Sequence, residues 1–208
     1  MENKEFDKLS YALGLNVGLS YQQSGITKLD IQDFADGVAA IFNGVAPRIT
    51  MDEARQEVNR LAEEIQRKHK EQEAQMAELN KKSGDSFLRE NGKRVEVKTT
   101  PTGLQYEIIQ EGNGPKPTAT DQVEVHYTGK LLDGTVFDSS VERGEPITFP
   151  VSGVIPGWVE ALQMMSAGSK WRLFIPSELA YGAQGAGPIG PNQTLIFDVE
   201  LLKVNGKA

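Results

Sequence analysis

The sequence contains no cysteine, which excludes disulfides, thiolate metal sites and a cysteine nucleophile. It has only two histidines, His69 and His126, and their wide separation argues against a multi-histidine metal site or a histidine-based triad. The chain has no apolar run of membrane-spanning length, and its first residues lack the basic start and apolar stretch of a secretory signal. We therefore predict a cytoplasmic protein with no metal, no cofactor and no membrane association.

Charge and motif content exclude further classes of function. The net charge of −7 argues against nucleic acid as a partner. Gly182, Gly185 and Gly187 are spaced like a phosphate loop, but they lack the lysine and the strand-loop-helix context. Ser139 and Ser140 have no recognisable base or oxyanion motif nearby, so neither hydrolysis nor phosphoryl transfer is predicted.

The chain changes character near residue 98. Nine of its ten prolines and 14 of its 21 glycines follow that point. This asymmetry is typical of a helical N-terminal part followed by a turn-rich β domain. We predict an N-terminal helical dimerisation module over residues 1–49, a long connecting helix and linker over 50–98, and a catalytic domain over 99–208.

The N-terminal module is predicted to consist of two helices. Apolar residues recur at helical spacing over about Phe6–Ser24, and Asp30 is placed to cap a second helix that ends near Phe42. Two helices of this length form a very small core, which is usually marginal by itself. We therefore predict that a second copy completes the core, giving a homodimer through residues 1–65.

A long helix is predicted to follow. Thr50 and Glu53 form a capping box, and no proline occurs from there to about Asn91. One helix of about 40 residues would span roughly 60 Å. Because residues 66–78 are nearly all polar, we interpret the helix as a stalk that holds two modules apart.

The last hundred residues alternate between apolar and polar side chains in several short stretches separated by turn signals, which indicates β-strands. One short helix interrupts them, entered at Pro156 and carrying Trp158, Leu162 and Met165 at helical spacing. This pattern predicts an α+β domain in which an antiparallel sheet wraps over one helix. By residue type alone, Trp158 is more often core than the floor of a cavity.

Four ordered motifs resemble those of the FKBP-type peptidyl-prolyl cis-trans isomerases. They are VHYTGKLLDGTVFDSS at 125–140, VIPGW at 154–158, the pair IP and LAYG within 175–182, and LIFDVELL at 195–202. The resemblance covers about half of the chain. The N-terminal helices and the charged stalk resemble the bacterial dimeric branch, the Mip-like and FklB-like proteins.

The resemblance implies a half-barrel sheet wrapped on one short helix, with an apolar pocket for proline. It assigns the residues that form the pocket and contact the reacting bond, namely Tyr127, Phe137, Asp138, Trp158, Tyr181 and Phe197. It assigns the substrate-binding residues that line its walls and rim, namely Phe149, Val154, Ile155 and Ile189. Two departures bear on the binding of FK506- or rapamycin-type macrolides: Ile147 replaces a second aromatic, and the loop after Gly185 lacks a bulky residue.

Such an enzyme needs no nucleophile, because rotation about an X–Pro bond makes and breaks no covalent bond. The expected substrates are proline-containing polypeptide clients, and a folding-chaperone role is expected as well. The alternative, from another class of function, is a holdase chaperone or scaffold that binds proline segments and whose turnover is incidental. The expected macrolide inhibitors would distinguish a functional proline pocket from a general client surface.

Overall fold

A computed structural model of the chain describes residues 6–207. The outermost residues of the predicted terminal domains, 1–5 and 208, lie outside the described residues. The chain divides into two compact units, Met1–Glu71 and Gln72–Ala208. The α-helices are α1 (Lys8–Gln23), α2 (Ile31–Asn43), α3 (Met51–Asn91), α4 (Ser140–Arg143) and α5 (Pro156–Met164).

The helices of the first unit begin where the sequence places their caps. The Asp30 carboxylate accepts hydrogen bonds from the backbone N–H groups of Gln32 and Asp33, both at 3.0 Å, and so caps α2 as predicted. Among the described residues of this unit, 6–71, none is buried. Its apolar side chains therefore have no closed core of their own within the chain.

The third helix is continuous over 41 residues, as predicted. Its capping box forms in both directions: Thr50 Oγ1 accepts from the Glu53 N–H at 3.2 Å, and the Thr50 N–H donates to Glu53 Oε2 at 2.8 Å. The polar middle of the helix remains exposed, and Lys68 and Glu64 pair at 2.8 Å across one turn. Such exposed pairs contribute only about 0.2–0.5 kcal/mol each to the helix.

The second unit is built on an antiparallel sheet whose strand order is β1-β2-β6-β7-β3-β4, with β5 pairing to β3. The strands are β1 (Val97–Thr99), β2 (Gln105–Gln110), β3 (Gln122–Lys130), β4 (Val136–Ser139), β5 (Ile147–Pro150), β6 (Lys170–Ile175) and β7 (Leu195–Val204). Burial alternates along β3 and β7, as expected for strands with one face on a core. The predicted α+β fold class is confirmed.

The short helix α5 packs on the apolar face of this sheet. Ile155 is its N-cap residue and Pro156 its first residue, where a missing N–H costs nothing. Trp158 and Leu162 are buried in one continuous apolar core with the inward residues of the strands. The helix ends at Met164, so Met165 does not continue the helical stripe as predicted; it is the C-cap residue and is nevertheless fully buried.

Candidate active site

Trp158, in the first turn of α5, is surrounded by aromatic rings from three strands. The ring centroids of Tyr127 on β3, Phe197 on β7 and Phe149 on β5 lie 5.2, 5.3 and 6.1 Å from that of the indole. All three pairs are edge-to-face, at interplanar angles of 82–87°, which is a favoured geometry for aromatic contacts. Only about 4 % of the Trp158 surface remains exposed, so the neighbouring rings cover most of the indole.

Partly exposed side chains surround this buried centre. Phe137 on β4 meets Phe197 edge-to-face at 5.5 Å. Val154 and Ile155, which lead into α5, pack against the same core while remaining partly exposed. The structure thus brings together five of the predicted aromatic residues and both predicted rim residues, in an apolar site that has its floor on α5.

The entrance to α5 also provides a hydrogen-bond donor beside the rings. The backbone C=O of Ile155 accepts from Trp158 N–H at 2.9 Å and from Val159 N–H at 3.1 Å. Its own N–H donates to no acceptor within residues 6–207. That amide is therefore unpaired among the described residues.

A charged group closes one edge of the site. The Tyr127 hydroxyl donates to Asp138, and Arg143 at the end of α4 donates both to Asp138 and, at 3.2 Å, to the Tyr127 hydroxyl oxygen. The guanidinium also lies 5.9 Å from the centre of the Tyr127 ring, within cation–π range. Hydrogen bonds thus join all three side chains, and they fix the orientation of the Tyr127 ring at its hydroxyl end.

This arrangement determines the protonation states at the edge. Burial and then the hydrogen bond to Asp138 raise the pKa of Tyr127, so its hydroxyl stays protonated. Burial also acts to raise the pKa of Asp138, but hydrogen bonds from Tyr127 and Arg143, with the Arg143 charge, outweigh it and hold that pKa below its usual value of 3.8. Asp138 is therefore an ionised acceptor at neutral pH.

We expect Asp138→Asn to destabilise the protein at neutral pH and to matter less in acid. Because the pKa of Asp138 is lower in the folded chain, its contribution to the free energy of unfolding is present above pH 3.8 and is lost as the pH falls through the folded-state value. Urea unfolding of both proteins at neutral pH and at about pH 3 measures the difference. A difference that is the same at both pH values would contradict this electrostatic account.

A glycine makes room for two of the aromatic walls. A Cβ at Gly129 on β3 would lie 2.6 Å from Phe137 Cζ and 2.7 Å from Phe197 Cε1. Real Cβ atoms do not approach carbon that closely, so any side chain here would push both rings. The absence of a side chain at this position is part of the geometry of the site.

Gly129→Ala should therefore lower kcat/KM for a prolyl peptide by about 3- to 10-fold, because displaced rings no longer match the reacting group. Overpacking of this kind costs roughly 1–3 kcal/mol in the free energy of unfolding. Gly37→Ala on α2 is the matched control, since a Cβ there meets nothing within 4 Å. Equal activity of the two variants would show that ring placement by Gly129 is unimportant.

The remaining two predicted site residues lie on the loop between β6 and β7. Ile189 is buried, at 6 % exposed, and belongs to the same apolar core as the rings. Tyr181 is 39 % exposed, and its hydroxyl has no hydrogen-bond partner within residues 6–207. The structure therefore places Ile189 in the same apolar core as the rings, while Tyr181 forms none of the close ring pairs around Trp158.

Sequence reasoning missed Arg143 and Gly129 as components of the site. Arg143 could have been found from its local context, because Ser139 caps α4 by accepting from the Glu142 N–H at 3.2 Å and Gly144 ends it. That one-turn helix returns Arg143 toward Asp138. No local pattern marks Gly129, whose role depends on two rings from other strands.

The site combines apolar aromatic rings with a few polar groups. Within residues 6–207, no three histidine, aspartate or glutamate side chains converge on a position for a metal ion, and no helix is long and apolar enough to cross a membrane. Aromatic rings form an apolar floor and walls, while the Ile155 amide and the Asp138 edge supply a few oriented polar groups. The fold and site define an α+β protein with an apolar aromatic cluster that has polar groups at its edge.

Comparison with known proteins identifies the family. A model of the FKBP-type peptidyl-prolyl cis-trans isomerase domain matches residues 114–202, and one of the domain amino-terminal to such isomerases matches residues 6–108. The chain belongs to the FKBP-type peptidyl-prolyl cis-trans isomerases and is an enzyme of that class. The resemblance read from its motifs is confirmed.

Relatives match the chain over nearly its whole length. The FKBP-type 22 kDa peptidyl-prolyl cis-trans isomerase of Escherichia coli is 47% identical over 94% of this chain and 93% of its own. The outer membrane protein MIP of Legionella longbeachae is 43% identical over 97% of this chain and 87% of its own. The crystal structure of FkpA from Escherichia coli superimposes with a TM-score of 0.79 at 37% identity, covering 98% of both chains.

Proposed function

We propose that this enzyme accelerates rotation about X–Pro bonds in unfolded or partly folded polypeptide chains, by binding the proline non-covalently at the ring cluster around Trp158. The observation that carries the proposal is the edge-to-face packing of Tyr127, Phe149 and Phe197 on one indole. These rings offer a proline an apolar surface with hydrogen-bonding groups only at its margin.

The site has a physical means of lowering the rotation barrier. Amide resonance gives that barrier a height of roughly 18–20 kcal/mol. The planar amide has a larger dipole than the twisted one, so an apolar, water-poor surrounding disfavours the planar state relative to the twisted state. A thousandfold acceleration needs only about 4 kcal/mol of such differential stabilisation.

Each predicted site residue has a part in this mechanism. Trp158 is the floor, Phe137 and the three rings around the indole are walls, and Asp138 orients Tyr127. The Ile155 N–H and the exposed Tyr181 hydroxyl donate to carbonyl groups of the substrate backbone, while Val154 and Ile189 complete the apolar lining. None of these roles requires proton transfer.

A protease-coupled assay on an X–Pro tetrapeptide tests the proposal. We expect the full-length protein to accelerate isomerisation, and a rapamycin-type macrolide to inhibit it by occupying the same site. Absence of acceleration at micromolar protein would reject the function. Acceleration that a saturating macrolide does not inhibit would reject this location for it.

We further propose that the enzyme works as a homodimer through its first unit. None of residues 6–71 is buried within the chain, and α1 exposes leucines on more than one of its faces, with Leu9 at 69 % and Leu15 at 54 %. Apolar side chains on more than one face of a helix favour a buried environment. A second copy of the same unit would supply it, and two linked sites could then hold one client chain.

The exposed apolar surface of the first unit also favours a second candidate function, a holdase that binds proline segments and for which turnover is incidental. The two functions differ in what an inactive site does to client aggregation. When turnover is abolished, a folding isomerase no longer speeds the folding of a client that is limited by proline isomerisation. A holdase without turnover still suppresses client aggregation. Cytoplasmic location stays a prediction.

A further inference from the structure

The Ile189 loop, residues 181–193, has an ordered tip. The Ala186 N–H donates to the Ile189 C=O at 2.8 Å, and the Ile189 N–H donates back to the Ala186 C=O at 2.9 Å. These two bonds form a closed turn that presents Ile189 to the apolar core, where its side chain is buried. The tip bonds determine the shape of the loop end, while its position depends on how the base of the loop is held.

The base of the loop is held by the last part of α3. Asn80 Nδ2 donates to the backbone C=O of Pro191 at 2.8 Å, and Asn192 Nδ2 donates in the opposite direction to the C=O of Ala77 at 3.3 Å. Both bonds are partly buried. Two amide side chains, one from each element, thus join the loop and the helix reciprocally. The loop residues involved, Pro191 and Asn192, follow Ile189 by two and three positions.

Asn192 is shaped for this junction. Its φ of 53° is in the left-handed region, which asparagine tolerates better than most residues other than glycine. In that conformation its backbone N–H donates to the Gly182 C=O at 2.8 Å and joins the two ends of the loop. The same residue therefore closes the loop with its backbone and attaches it to α3 with its side chain.

Close packing beside the loop adds to the contact between α3 and the chain around the loop. A Cβ at Gly84 on α3 would lie 2.2 Å from Oγ1 of Thr194, the buried residue that leads from the loop into β7. Ahead of the loop, Lys81 Nζ pairs with Glu178 at 2.7 Å. The helix therefore contacts the chain on both sides of the loop as well as its base.

We propose that Asn80 is a positioning residue for substrate binding: through Pro191, the last part of α3 holds the Ile189 loop in its place beside the proline site. The inference rests on the proposed function. Without that attachment the loop would sample other positions, and its ordering entropy would be lost on each binding event. The hydrogen bond to the helix already orders the loop in the free protein, so less conformational entropy is lost when substrate binds. Binding is therefore stronger, and the twisting step is unaltered.

Full-length Asn80→Ala tests this, with Asn59→Ala as control, since Asn59 lies exposed on the same helix and forms no side-chain hydrogen bond within residues 6–207. We expect KM for a prolyl tetrapeptide to rise about 3- to 10-fold in Asn80→Ala, the effect of one lost hydrogen bond, with kcat unchanged. Amide exchange at Ile189 should become faster. Asn192→Gly, which removes the reciprocal bond and tolerates the positive φ, should behave in the same way.

The outcomes separate this inference from the function on which it rests. A wild-type protein without isomerase activity would reject the proposed function. With an active wild type, an unchanged KM in both Asn80→Ala and Asn192→Gly would overturn the positioning role, whatever their melting temperatures. A fall in kcat at constant KM would also overturn it, because that pattern places Asn80 in the twisting step.

Discussion

Trp158→Leu is expected to lower kcat/KM for prolyl peptides by about 10- to 100-fold. The substitution removes three edge-to-face contacts, each worth about 0.5–1.5 kcal/mol beyond simple burial, and the walls that depend on them lose their positions. If part of that energy is realised only in the twisted state, a loss of 1.4–2.7 kcal/mol gives about this range of rates.

The other tryptophan provides the matched control. Trp171 is also buried, at 6 % exposed, and it stacks on Tyr106 at 4.5 Å, away from the ring cluster. Trp171→Leu should cost a comparable free energy of unfolding, about 2–4 kcal/mol, while kcat/KM at a temperature well below melting stays near that of the wild type. If both variants lose activity in parallel, the effect of Trp158 is on stability and its place in the site is wrong. Aggregation suppression by the inactive variant would favour the holdase.

Leu13→Glu on α1 is expected to convert the proposed dimer into monomers. Each protomer would carry one unpaired carboxylate into the proposed apolar interface, and burying a charge without a partner costs several kcal/mol. For two copies, a total of at least about 4 kcal/mol raises the dissociation constant about a thousandfold. Light scattering at micromolar concentration measures the mass, and far-UV circular dichroism measures the helicity that the uncovered first unit loses.

The control for this variant adds the same charge at a polar position of the same helix. Gln22→Glu, at an exposed residue in the last turn of α1, should leave the mass unchanged. Turnover on a tetrapeptide should be near normal in both proteins, because the ring cluster lies wholly in the second unit. A wild-type chain that is already monomeric, or a Leu13→Glu chain that remains dimeric, would contradict the proposed interface.

Sequence reasoning succeeded where structure is determined locally. The caps at Asp30 and Thr50 act on the next three residues, so both helix starts could be predicted from short spacings. The short strands β4 and β5 were missed, because their pairing to β3 comes from residues distant in the sequence and neither strand is long enough to show a period.

The site shows the same division. The aromatic residues were predicted from motifs that resemble a family, since the ring types and their order are readable in one dimension. The space left by Gly129 and the attachment of Asn80 to Pro191 depend on segments that meet only in three dimensions. No periodicity or composition at these positions distinguishes them from surface residues.

The seat of α3 on the sheet has a practical consequence for anyone excising the catalytic half for ligand screening. Phe87 contacts Phe174 on β6 at 5.8 Å, and Asn91 donates to the buried Gln105 on β2 at 2.9 Å. A fragment trimmed at residue 99 would leave the Phe174 ring and the Gln105 amide facing solvent, and it would release the loop beside the proposed proline site. An expression fragment that begins at residue 72 retains the part of α3 that packs on the sheet. Inhibitor affinities measured on it should therefore equal those of the intact enzyme.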